Sequence, residues 1–191
     1  MLAVPVPVGP RYRGKPVYYS DVVVNRNSPF KVFDDLRGSS WAYNEPLSHS
    51  GFNIVRAFLA SFGETKGYFR EVVESGAHTA SLELILNNQV HGAAIDSTVL
   101  EWIVLQRPDV RTRIRVVDSL GPSPIPPWVV STQVPAHLRA ALRGVFLRMH
   151  DSPAGRALLG RARISRFVTA SDHDYDPIRR MADAAATVSL R

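Results

Sequence analysis

The fold is decided by the segment Trp41-Ala42-Tyr43-Asn44-Glu45-Pro46-Leu47-Ser48-His49-Ser50-Gly51. Its pattern predicts a short apolar strand, a polar turn and then the first turn of an amphipathic helix. Free backbone N–H groups and the positive end of the helix dipole would lie in front of Ser48 and Ser50, an arrangement that suits an oxyanion. Ordinary N-capping by serine explains the same pattern, so the segment alone leaves both interpretations open.

Strand and helix patterns alternate around this segment. Apolar runs predict strands at residues 40–43, 69–74, 91–96 and 114–117, and helical periodicity predicts helices at 51–62, 78–88 and 98–106. The resulting order, β-α-β-α-β-α-β over residues 39–118, predicts an α/β fold with a parallel sheet.

The flanking residues predict a second lobe. A β-branched and aromatic run predicts a strand at 17–24, one helical turn follows at 31–37, and the proline-rich residues 121–127 can form neither a helix nor a central strand. We interpret 121–127 as a connector, 128–130 as a strand, and 135–149, 153–160 and 176–186 as helices.

These elements predict two lobes joined by two hinge strands, at Val22-Val23-Val24 and Val129-Val130. Residues 1–34 would form part of lobe 1 with the first hinge strand. Residues 35–118 would form lobe 2, and residues 119–191 would form the return hinge and the C-terminal helices of lobe 1.

Two further polar residues follow predicted strands at the same edge as Ser48 and Ser50. His78 begins a helix after Ser75-Gly76-Ala77, and Asp96 ends a strand. Carboxyl ends of strands line the ligand crevice of open α/β sheets, so His78 and Asp96 could contact the same ligand. A surface histidine and a helix-capping aspartate are the alternatives.

Serine, histidine and aspartate at one crevice also raise the possibility of a hydrolase. The chain has no G-x-S-x-G elbow, and two hydroxyls at a helix start suit binding better than nucleophilic attack. Its six histidines lack metal-ligand spacing, and there is neither a P-loop nor a G-x-G-x-x-G motif. We therefore expect no catalytic residues, no metal and no cofactor.

Composition narrows the possible partners. The 191 residues contain no cysteine, which excludes disulfides and thiol chemistry, and they carry a net charge of +6 from twenty Arg and three Lys against 17 acidic residues. The basic residues form no dense run, so we expect no nucleic-acid partner. No segment approaches eighteen consecutive apolar residues, and the apolar start is too short and proline-broken for a signal peptide.

An ordered series of motifs resembles the phosphate- and phosphonate-binding proteins of ABC importers. The series runs through nearly the whole chain, in the order Tyr18-Tyr19-Ser20-Asp21-Val22-Val23-Val24, Asn27-Ser28-Pro29, Asp35-Leu36-Arg37-Gly38, Asn44-Glu45-Pro46-Leu47-Ser48-His49-Ser50-Gly51, Ser75-Gly76-Ala77-His78, Ala93-Ala94-Ile95-Asp96, Ser123-Pro124-Ile125-Pro126-Pro127 and Asp174-Tyr175-Asp176-Pro177-Ile178. The resemblance implies a type II periplasmic-binding-protein fold that grips its ligand between two α/β lobes.

The same resemblance implies which residues bind the ligand. Oxyanion oxygens would be held by Ser48, His49 and Ser50, where the family often has Ser-Thr-Ser, and by His78. Tyr18 matches a pocket tyrosine on the hinge side, and Asp96 lies near the pocket. Thr98 stands where aminoalkylphosphonate binders carry an acidic residue for the ligand's ammonium group. This departure favours phosphate, phosphite or a simple phosphonate as the ligand.

A second departure concerns the start of the chain. Family members normally have a signal or lipoprotein leader and then a β-α-β-α section, and this chain begins after that section, so we expect an N-terminally truncated protein with an incomplete first lobe. The leading hypothesis is a periplasmic substrate-binding protein that docks on an ABC permease. A cytoplasmic ligand-sensing module of the same fold is the alternative, and a Ser/His/Asp hydrolase is the third possibility.

Overall fold

The computed structural model describes residues 1–191 and contains seven strands and seven α-helices. The strands are β1 (Val4–Pro7), β2 (Val17–Asn25), β3 (Ser40–Tyr43), β4 (Glu71–Glu74), β5 (Gly92–Asp96), β6 (Ile114–Pro124) and β7 (Ile164–Val168). The helices are α1 (Ile54–Ser61), α2 (His78–Leu86), α3 (Ser97–Gln106), α4 (Pro108–Arg113), α5 (Ala136–Arg148), α6 (Pro153–Arg161) and α7 (Asp176–Ala185). A π-helical turn, His49–Asn53, leads directly into α1.

The chain divides into two compact units. Unit 1 comprises Met1–Tyr18 and Ser123–Pro177, and unit 2 comprises Tyr19–Pro122 and Ile178–Arg191. These boundaries differ from the predicted lobe boundaries at 34/35 and 118/119, because most of β2 and β6 pair within the sheet of unit 2. Residues 178–191, which were predicted to belong to lobe 1, are also part of unit 2, because Val188 and Leu190 lie in its apolar cluster.

Unit 2 is built on a five-stranded mixed sheet in the order β4-β3-β5-β2-β6. Strand β3 runs parallel to both β4 and β5, which confirms the parallel α/β pattern over the first three predicted strands. Strand β2 is antiparallel to β5 and separates it from β6. The expectation of one continuous parallel sheet is therefore wrong at β6, since periodicity identifies strands but does not choose their neighbours.

Alternating side chains bury both faces of this sheet. Val22, Val24 and Trp41 belong to one apolar cluster, while Val23 and Ala42 belong to the other. This period-two alternation places helix α1 over the first face and helices α2 and α3 over the second. Each fully buried aliphatic side chain contributes about 1.5–3 kcal/mol, so the two layers fix the sheet on which the strand ends are arranged.

Unit 1 contains the antiparallel pair β1–β7 with helices α5 and α6. Its apolar clusters centre on Leu159 with Phe167 and on Val4 with Tyr18. Helix α5 has no buried residue. None of the seven α-helices combines the length and the apolar character that a membrane-spanning helix requires.

Several predicted elements need correction. Residues 128–130 form no strand, because only an isolated bridge joins Trp128 to Ala3. The proline-rich segment does not begin as a connector at 121, since β6 continues through Pro124 at the edge of the sheet, where a strand tolerates proline. Strands β1 and β7 and helix α4 were not predicted, because β1 contains two prolines and the other two elements are only five and six residues long.

Candidate oxyanion site

Three strands of unit 2 end at one edge of the sheet. Because β3, β4 and β5 are parallel, their last residues, Tyr43, Glu74 and Asp96, lie at the same edge. The turn before α1, helix α2 and helix α3 all begin after these strand ends. The partial positive charges of several helix N-termini therefore converge there, which favours a bound anion.

Ser48 is the N-cap of the turn that leads into α1. Its Oγ accepts a hydrogen bond from the Gly51 backbone N–H at 3.1 Å, and its carbonyl accepts one from the Asn53 N–H at 3.0 Å. The capping alternative is thus confirmed for Ser48. A hydroxyl that accepts still has its own hydrogen to donate, so capping does not prevent Ser48 from also binding an anion.

Ser50 and His78 form the central contact of the site. Ser50 Oγ and His78 Nε2 are 2.9 Å apart, and Ser50 is only 6% exposed. This hydrogen bond joins the first turn before α1 to the first residue of α2, so the sequence prediction that the two residues share one edge is confirmed. Each residue's contact with a ligand remains a prediction.

The surroundings of His78 favour one tautomer. Its Nδ1 is buried and has no hydrogen-bond partner. Orphaned buried N–H groups are rarer than under-satisfied acceptors, which favours an unprotonated Nδ1 and an Nε2–H that donates to Ser50 Oγ. Burial lowers the pKa of His78, and the nearby Asp96 and Glu45 carboxylates only partly oppose it. In this tautomer His78 donates to Ser50 Oγ, which leaves the Ser50 hydroxyl hydrogen free to donate to another group.

Gly51 and Asn44 determine how closely these elements approach, and the sequence prediction did not include them among the site residues. A Cβ at position 51 would lie 1.9 Å from Asn44 Oδ1 and 3.3 Å from His78 Cε1. Asn44 is 8% exposed, and its Oδ1 has no hydrogen-bond partner. The available signal was the position of Asn44 directly after an apolar strand, but nothing in the sequence indicated its contact with Gly51.

His49 lies between the two serines in the π-helical turn. Burial lowers the pKa of its ring to about 4, so His49 is neutral near pH 7. A neutral imidazole can still donate one hydrogen bond, which keeps the predicted ligand role chemically possible. That role remains a prediction.

Asp96 caps helix α3. Its Oδ1 accepts hydrogen bonds from the Thr98 N–H at 2.8 Å and the Thr98 hydroxyl at 2.7 Å. The capping interpretation, one of two left open by the sequence, is therefore confirmed. Ser20 pairs with Asp96 across β2 and β5, and its fully buried Oγ has no partner. An isolated serine within a strand, such as Ser20, gives no sequence signal for a site residue.

Tyr18, the remaining predicted ligand residue, belongs to unit 1. It is 2% exposed and packs in a cluster with Val4 and Ile125. Contact of Tyr18 with the oxyanion remains a prediction.

No group of three or more histidine, aspartate or glutamate side chains is placed to hold a metal ion.

Comparison with known proteins identifies the family. Residues 2–175 match the family model of the ABC transporter phosphonate periplasmic substrate-binding protein. The chain belongs to this family. The family consists of periplasmic substrate-binding components of transporters rather than enzymes.

A relative and two solved structures extend the match. The phosphonates-binding periplasmic protein of Escherichia coli (strain K12) is 25% identical over 174 residues, covering 88% of this chain and 51% of the relative. The chain therefore spans about half the length of that relative. A binding protein component of an ABC phosphonate transporter from Pseudomonas aeruginosa superposes with a TM-score of 0.84 at 19% identity, covering 96% of this chain and 61% of that one.

The second structure is a protein from Prochlorococcus marinus (MIT 9301) solved in complex with methylphosphonate. It superposes with a TM-score of 0.80 at 16% identity, covering 98% of this chain and 72% of that one. These likenesses confirm the predicted fold class, the α/β fold of type II periplasmic binding proteins.

Proposed function

We propose that this chain belongs to the substrate-binding component of an ABC importer and that its ligand is phosphate, phosphite or a simple phosphonate. The observation that carries the proposal is the hydrogen bond between Ser50 and His78 where helix N-termini converge at the sheet edge. Family membership and the methylphosphonate bound to a structural relative support the same ligand class.

The chemistry of the edge matches a tetrahedral oxyanion. Ser48 and Ser50 each offer a hydroxyl hydrogen, and the first turns of the helices offer backbone N–H groups without intrahelical partners. Each helix N-terminus adds about 0.3–1 kcal/mol of favourable interaction with a negative charge. His78 contributes by orienting the Ser50 hydroxyl, and a bound anion would raise the pKa of its ring by stabilising the protonated form.

The proposed partner is a membrane-embedded permease, and the proposed location is the periplasm. Both follow from the family, whose members are periplasmic binding proteins of ABC transporters. The proposed role needs no cofactor and no metal, because recognition by hydroxyls and backbone amides suffices.

Isothermal titration calorimetry tests the ligand class. The purified chain is titrated with sodium phosphate, phosphite and methylphosphonate, with sodium chloride as the control at equal ionic strength. We expect saturable binding of at least one phosphorus oxyanion, accompanied by an increase in Tm. Absence of saturable heat for all three anions in a chain that unfolds cooperatively would contradict the proposal.

A hydrolase is the second candidate, since serine and histidine are within hydrogen-bond distance. The observed contacts do not complete a catalytic triad, because His78 Nδ1 has no partner and Asp96 Oδ1 bonds to Thr98. A triad needs its acid to orient the other ring nitrogen. Hydrolysis of an activated ester that disappears in Ser50→Ala would favour this candidate over binding.

A further inference from the structure

We propose that unit 2 has a second binding site, for an uncharged sugar or polyol, at the amino-terminal edge of the parallel strands. A cavity of about 340 Å³ lies there, within the size range of small-ligand pockets. It lies between the end of β2 and the start of β5, at the opposite edge of the sheet from Ser50 and His78. It is therefore distinct from the oxyanion site.

The wall of this cavity is pre-formed. The loop after β2 is tied down by the guanidinium of Arg115, which donates to the carbonyls of Arg26 at 3.0 Å, Ser28 at 2.9 Å and Phe30 at 2.5 Å. The Asn25 side chain also accepts from the Asn27 backbone N–H at 3.0 Å. A rigid wall loses little conformational entropy when a ligand binds, so less of the binding free energy is spent on ordering the protein.

Several side chains at the cavity have unused hydrogen-bonding capacity. The amide groups of Asn27 and Asn88 line it and make no side-chain hydrogen bond within the chain. The Ser28 Oγ is buried and also has no partner. An amide both donates and accepts, as does a hydroxyl, so these groups match ligands whose groups do the same.

His91 adds a donor of known tautomer. Its Nδ1 accepts the Ser40 backbone N–H at 3.0 Å, so its hydrogen is on Nε2. The Nε2 atom makes no hydrogen bond within the chain. Phe30 lies edge-on to the imidazole, with ring centroids 5.3 Å apart, and gives the cavity an apolar wall.

The side chains around the cavity together indicate the chemical class of its ligand. No aspartate, glutamate, lysine or arginine side chain lines the cavity, so an ionic ligand would have no counter-charge there. A pyranose presents hydroxyls that donate and accept around its rim and an apolar C–H face that can lie on Phe30. Amides, a hydroxyl and one imidazole N–H beside an aromatic ring complement both features.

Two-dimensional ¹H–¹⁵N NMR of the full chain tests the proposal. Glucose, galactose and N-acetylglucosamine are titrated to about 50 mM, because a Kd of about 10 mM corresponds to only about −2.7 kcal/mol. We expect saturable shifts of the amides around Asn27, Ser28, Asn88 and His91 with at least one sugar. The same shifts should persist with methylphosphonate present, and they should appear even if the oxyanion site binds nothing.

Paired variants separate binding from folding. Asn27→Ala removes one amide, and Asn88→Gly removes the other while keeping the left-handed backbone (φ 55°) that glycine adopts without strain. Each should raise the sugar Kd about fivefold or more, the effect of one lost hydrogen bond. Asn87→Ala is the matched control, since Asn87 is exposed, as are Asn27 and Asn88, but does not line the cavity.

Two outcomes would overturn the proposal. The first is the absence of saturable shifts with all three sugars; if adenosine shifts these amides instead, the cavity is assigned to a planar base. The second is an equal Kd in Asn27→Ala, Asn88→Gly and Asn87→Ala.

Discussion

Two serine–histidine pairs lie near opposite ends of strand β3, and their surroundings differ. Ser40, the first residue of β3, contacts His91 with its Oγ 2.7 Å from the ring Nδ1. Ser50, beyond the other end, has its Oγ 2.9 Å from Nε2 of His78. His91 is exposed and receives a backbone N–H, whereas His78 is held against Gly51 and Asn44 at the start of helix α2.

The comparison shows that the same residue pair occupies two chemically different environments. At the Ser40 end the backbone satisfies Nδ1, and the neighbouring side chains are neutral amides. At the Ser50 end the helix N-termini converge, and burial keeps the ring neutral. We therefore propose that the oxyanion binds at Ser50 and His78 rather than at Ser40 and His91.

The largest effect is expected from Gly51→Ala. The new Cβ would overlap Asn44 Oδ1 and press on His78, so the Ser50–His78 contact should be displaced. We expect the free energy of unfolding to fall by about 2–3 kcal/mol, as for other overpacked buried positions, and oxyanion binding to be lost. Urea unfolding and calorimetry measure the two effects.

Gly160→Ala is the control for this substitution. Gly160 lies in helix α6, and a Cβ there would contact nothing within 4 Å. Alanine in a helix is favoured over glycine by about 0.5–1 kcal/mol, so this variant should be slightly more stable and bind normally. Equal stability and equal affinity in Gly51→Ala and wild type would contradict the close approach described here.

A smaller effect is expected from the titration of His49. Burial lowers its pKa in the folded chain from 6.5 to about 4, so the unfolded chain binds the proton more readily between these values. Stability contributed by neutral His49 is therefore fully present above pH 6.5 and falls as the pH drops towards 4. Between about pH 7 and pH 5 the loss should be about 2 kcal/mol.

Urea unfolding at several pH values checks this prediction. In His49→Gln the slope of stability against pH in this interval should become shallower than in the wild type, whatever the absolute stability of the variant. An unchanged slope would mean that position 49 is solvated and does not contribute to the buried environment of the site.

Much of the α/β architecture could be predicted from the sequence because it depends on local periodicity. Strand β3 and helix α3 were predicted nearly to the residue, since an apolar run and helical periodicity mark them locally. The cap was placed one or two residues late, because Ser97 and Thr98 are also good capping residues and the structure uses Asp96. The position of β2 between β5 and β6 was not predictable, because strand order is set by tertiary packing. The proline-containing strand β1 was missed for a related reason: its pairing with β7 overrides an unfavourable local sequence.

The candidate site likewise has features that the sequence predicts and features that only tertiary packing determines. The common location of Ser48, Ser50 and His78 was predictable because each follows a parallel strand, and the carboxyl ends of such strands meet. The contact of Gly51 with Asn44 and the buried, unpaired Oγ of Ser20 were not predictable, because neither feature has a sequence pattern.

The smallest effect is expected from Asp96→Asn. Asparagine caps helices about as well as aspartate and can accept the same hydrogen bonds from Thr98, so the free energy of unfolding should change by less than about 0.5 kcal/mol. Loss of the negative charge should leave oxyanion affinity equal or slightly higher. A large loss of affinity with unchanged stability, measured by calorimetry and urea unfolding, would mean that Asp96 accepts a hydrogen from the ligand itself.

The central claim is tested most directly by titrating Ser50→Ala and Ser40→Ala with methylphosphonate, alongside the wild type, in one calorimetric series. We expect Ser50→Ala to lose about 1–3 kcal/mol of binding free energy, the scale of a charge-assisted hydrogen bond, and Ser40→Ala to bind like the wild type. Equal affinity of the two variants, or a loss confined to Ser40→Ala, would contradict the assignment of the oxyanion to the Ser50–His78 edge.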